Sequence, residues 1–208
     1  MRLITYGCSF TYGTALPDME SWQDQKPWAK PSTLSWPSVL HNMLGTTEFQ
    51  NHGMPGASNR EIWWRALNNT YNETDIVVFQ WTWNNRYCFV NEDVTNIYQL
   101  TLHNGKSRRE FWPPFVALAG EYDRNIDMFL LIDHIDSKLK SQNITPYHFI
   151  IEHTNIPTWC NANIHPINIY DMVWSKYPRA KDDVHPSDEA HNITAKILED
   201  FIKKDVDK

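Results

Sequence analysis

Glycine is scarce in this chain, with seven in 208 residues. Each is therefore expected where the backbone needs it. Cysteine is scarcer still. Cys8, Cys88 and Cys160 are an odd, sparse set, which excludes a disulfide framework and points to a reducing compartment. No apolar run approaches the roughly 18 residues of a membrane-crossing helix. Met1 to Phe10 has one Arg and then a strand-like stretch, not the pattern of a signal peptide. The sequence thus predicts no membrane partner and a cytoplasmic location. Excess positive charge is missing too: 19 Lys and Arg against 25 Asp and Glu give a net charge of −6, so no nucleic-acid partner is expected. What the chain has in abundance is tryptophan, with ten. A core absorbs most of them, and an aromatic ligand-facing surface accounts for the rest. Hydrophobic residues at 41% and charged residues at 21% suit a globular chain. Its length predicts a single domain over 1–208.

Hydrophobic patterning predicts an α/β architecture. Ile76-Val77-Val78-Phe79 is continuously apolar, as in a central parallel strand covered on both faces. Arg2 to Tyr6, Glu48 to Asn51 and Pro146 to Glu152 read as further strands. Helices are expected at Trp36 to Leu44, from Ser58 onward, at Asn125 to Gln142 and at Pro186 to Lys204. Ser58 and Glu61 are spaced as a capping box. Ser35 and Ser187 are candidate N-caps, and Gly45 a C-cap. Alternation of this kind gives a parallel sheet with helices on both faces, and ligands bind at the carboxyl edge of its strands. The stretches 83–122 and 153–184 break the pattern and read as long loops at that edge.

Four segments carry residues suited to chemistry, each just after a strand or before a helix. Gly7-Cys8-Ser9-Phe10 can present a serine hydroxyl at the sheet edge; alone it is an ordinary turn. Asn51-His52-Gly53-Met54-Pro55-Gly56 opens a helix and can leave a backbone N–H free for an anion. Thr82-Trp83-Asn84-Asn85 places an amide donor after the central strand. In Asp182-Asp183-Val184-His185-Pro186 a carboxylate three residues before a histidine can reach its Nδ1, fixing the tautomer and leaving Nε2 as a base.

Together, and in this order, the four segments resemble the conserved blocks of the SGNH hydrolases, also called GDSL esterases. Gly7-Cys8-Ser9-Phe10 is similar to the first block, usually Gly-Asp-Ser-Leu. Gly56 falls at the second-block oxyanion position. Thr82-Trp83-Asn84-Asn85 resembles the third block, usually Gly-x-Asn-Asp. Asp182 to Pro186 matches the fifth, Asp-x-x-His-Pro. Cys8 stands where the family has Asp, and Thr82 where it has Gly. Asn85 competes with Asn84, and Asp183 with Asp182. The resemblance implies a three-layer α/β/α, flavodoxin-like sandwich around a parallel sheet of about five strands. It implies acyl transfer from a carboxylic ester to water without metal or cofactor. Ser9 would attack, His185 would serve as base and Asp182 would orient it. The oxyanion would rest on the N–H groups of Ser9 and Gly56 and on the Asn84 amide. Trp83, Trp112, Trp159 and Trp174 suggest a carbohydrate ester such as an O-acetyl sugar. The alternative is a non-catalytic module of the same fold that recognises a glycan or a protein. His148, Glu152 and His153 lie close in sequence but match no zinc spacing. The lack of a Gly-x-Ser-x-Gly elbow, and an acid three residues before its histidine, speak against the α/β-hydrolase arrangement.

Overall fold

The computed structural model describes residues 1–19, 30–90, 97–101, 121–151, 155–166, 168–182 and 184–206. Four strands form a parallel sheet: β1 (Arg2–Gly7), β2 (Glu48–Gly53), β3 (Ile76–Trp81) and β6 (Pro146–Ile150), in the order β2-β1-β3-β6. β3 is buried along its whole length, as its unbroken apolar run requires. Where about five strands are expected, the sheet has four among the described residues; beside β6 stands one isolated parallel bridge, between His148 and Ile164.

Helices α2 (Trp36–Leu44), α3 (Asn59–Leu67), α4 (Glu121–Lys140) and α5 (Asp188–Val206) cover the sheet. α2 packs on α5, and α3 on α4. The two pairs take opposite faces. Trp36 of α2 meets Phe149, whereas Asp136 of α4 bonds the adjacent His148, and neighbouring strand residues point to opposite sides. This is the expected α/β/α layering. α4 begins four residues before its predicted start, and α5 two residues after its own. Ser58 caps α3 by accepting the Glu61 N–H, and Glu61 in turn pairs with Arg65. Ser35 sits at the N-cap of α2 but bonds back to Ser32, and the Trp36 N–H is taken instead by Nδ1 of His191 from α5.

A ladder of rings crosses one face of the sheet. His52, Tyr6, Phe79 and His148 occupy matched register positions on β2, β1, β3 and β6. Their stacked centroids lie 5.0, 5.1 and 5.0 Å apart, close to the strand spacing itself.

The predicted loop after β3 is not irregular throughout. β4 (Arg86–Val90) and β5 (Ile97–Thr101) form an antiparallel pair. Both are rich in β-branched and aromatic residues, a signal outweighed in the sequence reading by the aperiodic stretch around them. The second long segment contains a π-helical turn, Tyr170–Trp174. Lys106, Arg108, Arg109, Trp112, Glu152, His153 and Asp183 lie outside the described residues. Among the described residues no helix is long and apolar enough to cross a membrane.

Candidate active site

The four sequence segments meet at the carboxyl end of the sheet. After β1 the chain tightens into α1 (Ser9–Tyr12), a single turn in which the Thr11 and Tyr12 N–H groups donate to the Cys8 carbonyl, both at 3.0 Å. This turn requires Gly7, where a Cβ would come within 2.0 Å of Thr11 Oγ1. Cys8 points into the core, fully buried, and its sulfur accepts from Gln80 Nε2 at 3.3 Å. Gln80 also accepts from Thr11 Oγ1. Cys8 and Thr11 thus tie the first segment to β3. Ser9 is 5% exposed, and its hydroxyl makes no hydrogen bond among the described residues.

The second segment lies directly on the first. Met54 N–H donates to the Gly7 carbonyl at 3.0 Å, and Asn51 Nδ2 donates to the Thr11 carbonyl at 2.9 Å. A Cβ on Gly53 would sit 2.5 Å from the Tyr12 backbone nitrogen, so glycine permits this approach. Gly56 has a left-handed backbone, φ +81°, and its N–H has no acceptor among the described residues.

The third segment is fixed by Asn59 at the start of α3. Its side chain accepts the Thr82 N–H at 2.7 Å and donates to the Thr82 carbonyl at 3.0 Å. Asn84 is half-buried and donates to Asn125 Oδ1 at 2.7 Å, using one of its two amide hydrogens. Arg86 lies over the Trp83 ring and donates to Thr82 Oγ1. Asn51, Asn59, Asn125 and Arg86 were not assigned roles from sequence. For the three asparagines only partners distant along the chain identify them, whereas Arg86 is marked by its contacts with nearby Thr82 and Trp83.

In the last of the four segments Asp182 and His185 pair. His185 Nδ1 lies 2.5 Å from Asp182 Oδ2, while Asp182 Oδ1 accepts the backbone N–H groups of Val184 and His185, both at 3.0 Å. Burial alone would raise the Asp182 carboxyl, but the His185 N–H, the His185 ring and the Val184 N–H hold it below the usual carboxylate range. The His185 ring packs edge-on against Phe10, centroids 5.1 Å apart, and Phe10 also meets Trp83 and Trp174. Phe10, next to Ser9, thereby joins the first, third and fifth segments. Among the described residues His185 Nε2 makes no hydrogen bond, so the direct Ser9–His185 hydrogen bond is not formed.

The tryptophans divide differently from the sequence expectation. Trp174 is wholly buried, donating to Thr194 Oγ1, and so forms core rather than ligand surface. Trp83 is half-buried, and Trp159 is 44% exposed beside Phe129. Two clefts flank the Asn84–Asn125 pair. One of about 350 Å³ is lined by Asn125, Phe129 and Trp159, and one of about 330 Å³ by Asn84 and several arginines. Among the described residues no three His, Cys, Asp or Glu side chains form a metal-binding group.

No protein-family model matches the chain, and no curated protein matches it in sequence. Solved structures do match in fold. TesA is 9% identical with a TM-score of 0.59, over 98% of this chain and 99% of that one. The psychrotrophic esterase EstA from Pseudoalteromonas sp. is 12% identical with a TM-score of 0.54, over 100% and 99%. A catalytic mutant of Axe2, an acetylxylan esterase from Geobacillus stearothermophilus, is 15% identical with a TM-score of 0.54, over 97% and 93%. The parallel sheet between helix layers and the near-complete coverage of both chains agree: this chain has the fold of the SGNH, or GDSL-type, hydrolases.

Proposed function

We propose that the protein is a serine hydrolase of carboxylic esters. The observation that carries this reading is the Asp182–His185 pair, held against Phe10 beside Ser9 at the carboxyl edge of the sheet. Ser9 Oγ attacks the ester carbonyl as His185 Nε2 takes its proton. The tetrahedral oxyanion rests on the N–H groups of Ser9 and Gly56 and the remaining Asn84 amide hydrogen. The imidazolium, stabilised by Asp182, then returns the proton to the leaving alcohol. Water repeats the sequence on the acyl-enzyme. A bulky loop, with Thr82 and Trp83, and the exposed Trp159 ring in the cleft that Asn125 lines favour a short acyl group on a ring-bearing alcohol, such as an O-acetylated sugar.

Hydrolysis of 4-nitrophenyl acetate through octanoate tests this, with wild type beside Ser9→Ala and His185→Ala. Both variants are expected to fall to background while remaining folded. Asn84→Ala is expected to lose about 10²–10³ in kcat, as for one oxyanion donor. Wild type matching Ser9→Ala across the series would instead leave a non-catalytic module that recognises its ligand through the same edge.

A further inference from the structure

The cleft of about 330 Å³ beside Asn84 is unusual in its charge. Arg60, Arg86 and Arg124 line it, with Asp127 as one carboxylate in the lining, in a chain whose net charge is −6. Arg60 stands on the first turn of α3, and Arg124 on the first turn of α4. Arg86 follows the third-block loop.

Arg86 is not used up by structural bonds. Both of its hydrogen bonds, to Thr82 Oγ1 and the Ala57 carbonyl, come from one terminal nitrogen, Nη1. Its Nη2 and Nε have no acceptor, and neither Arg60 nor Arg86 forms an ion pair, among the described residues. The Trp83 ring, 4.7 Å from the guanidinium carbon, holds the plane of Arg86 in place. A half-buried, oriented guanidinium with free N–H groups presents the fork that a carboxylate or phosphate accepts.

We propose that this cleft binds an anionic group of the substrate, so that the preferred esters carry a carboxylate, phosphate or sulfate near the scissile bond. The inference rests on the ester-hydrolase reading and names the substrate class of that site. Arg86 supplies a directed contact beside the Asn84 loop. Arg60, exposed at the rim, supplies attraction at longer range.

Matched ester pairs test the proposal. One pair places the charge on the acyl side: the 4-nitrophenyl half-ester of adipate against 4-nitrophenyl hexanoate. The other places it on the alcohol: 4-acetoxybenzoate against its methyl ester. Wild type is expected to favour the anionic member of at least one pair by about tenfold in kcat/KM, the size of one charge-assisted hydrogen bond. Arg86→Gln and Arg60→Gln should each reduce that ratio, Arg86→Lys should retain part of it, and added salt should shrink it. A second measurement does not need turnover: calorimetric binding of adipate against adipamide. Salt-sensitive adipate binding lost in Arg86→Gln supports the anion subsite even if no ester is cleaved, in which case the hydrolase reading fails alone. Turnover of both pairs with no charge preference, or equal binding of adipate to wild type and both Gln variants, overturns the proposal and leaves the hydrolase reading standing.

Discussion

Asp182→Asn changes one atom, and the structure dictates which way the new amide must face. In the native side chain Oδ1 accepts two backbone N–H bonds, from Val184 and His185, each 3.0 Å long, while Oδ2 faces His185 Nδ1 at 2.5 Å. An asparagine keeps its carbonyl oxygen toward the two N–H groups. The opposite rotamer sets an NH2 against two donors, forfeiting two hydrogen bonds at roughly 1 kcal/mol each before any penalty for unsatisfied groups. The NH2 therefore faces Nδ1 and donates to it. Nδ1 must then accept, the ring proton moves to Nε2, and the nitrogen needed as base carries a proton. The expected loss is about 10³–10⁴ in kcat, although the substitution is nearly isosteric. The assay is steady-state hydrolysis of 4-nitrophenyl acetate by wild type, Asp182→Asn and Asp182→Ala, with folding verified by circular dichroism. The Asn variant should be at least as impaired as Ala, which removes the carboxylate without enforcing a tautomer. A folded Asp182→Asn protein within tenfold of wild type would refute the tautomer argument.

Three further outcomes follow from the packing. Gly53→Ala drives a Cβ into the Tyr12 and Thr11 backbone at 2.5 and 2.8 Å, whereas a Cβ on Gly45 meets nothing within 4 Å and incurs only the strain of φ +62°. Thermal unfolding should thus show a cost of roughly 1–3 kcal/mol for Gly53→Ala and less for Gly45→Ala; equal shifts would remove close approach as the reason for Gly53. Burial, and then the nearby His185 charge, push the His191 pKa from 6.5 down to about 3, and burial also lowers fully buried His148 despite Asp136. The unfolded chain therefore binds protons that the folded chain refuses. Stability should fall as pH drops below the ordinary histidine range, by about 1.4 kcal/mol per pH unit for each such histidine. Urea midpoints from pH 7 to 5 read this slope, which His191→Asn should flatten; an unchanged slope counts against it. Arg2 holds buried Asp75 through two bonds, 2.6 and 3.2 Å. Arg2→Met should destabilise by about 3 kcal/mol, Asp75→Asn in the same chain should restore part of that, and additive losses would contradict the pairing.

Much of the candidate site was legible because its chemistry is local in sequence. Asp182 and His185 are three residues apart, so the turn that joins them is encoded where they stand. The buried run of β3, the Ser58 cap and the C-cap at Gly45 were legible for the same reason, since each depends on neighbours within a few positions. The β4–β5 pair was missed although its residues favour strands, because the surrounding stretch lacks periodicity. Trp174 reads as ligand-facing from sequence because a tryptophan in an irregular segment carries no local sign of its burial; contacts such as those with Phe10 and Thr194, made across the fold, show that it is core.

Sequence alone determined the α/β alternation, the central strand and the pairing of Asp182 with His185, all products of local pattern and spacing. Tertiary structure alone decided the rest. It set the ring ladder from His52 to His148, which needs four strands in register. It turned Cys8 inward onto Gln80 and attached Asn84 to Asn125. It also gathered Arg60, Arg86 and Arg124 around one cleft. These depend on contacts between residues tens of positions apart, and no local periodicity records which distant side chains a folded sheet edge will bring together.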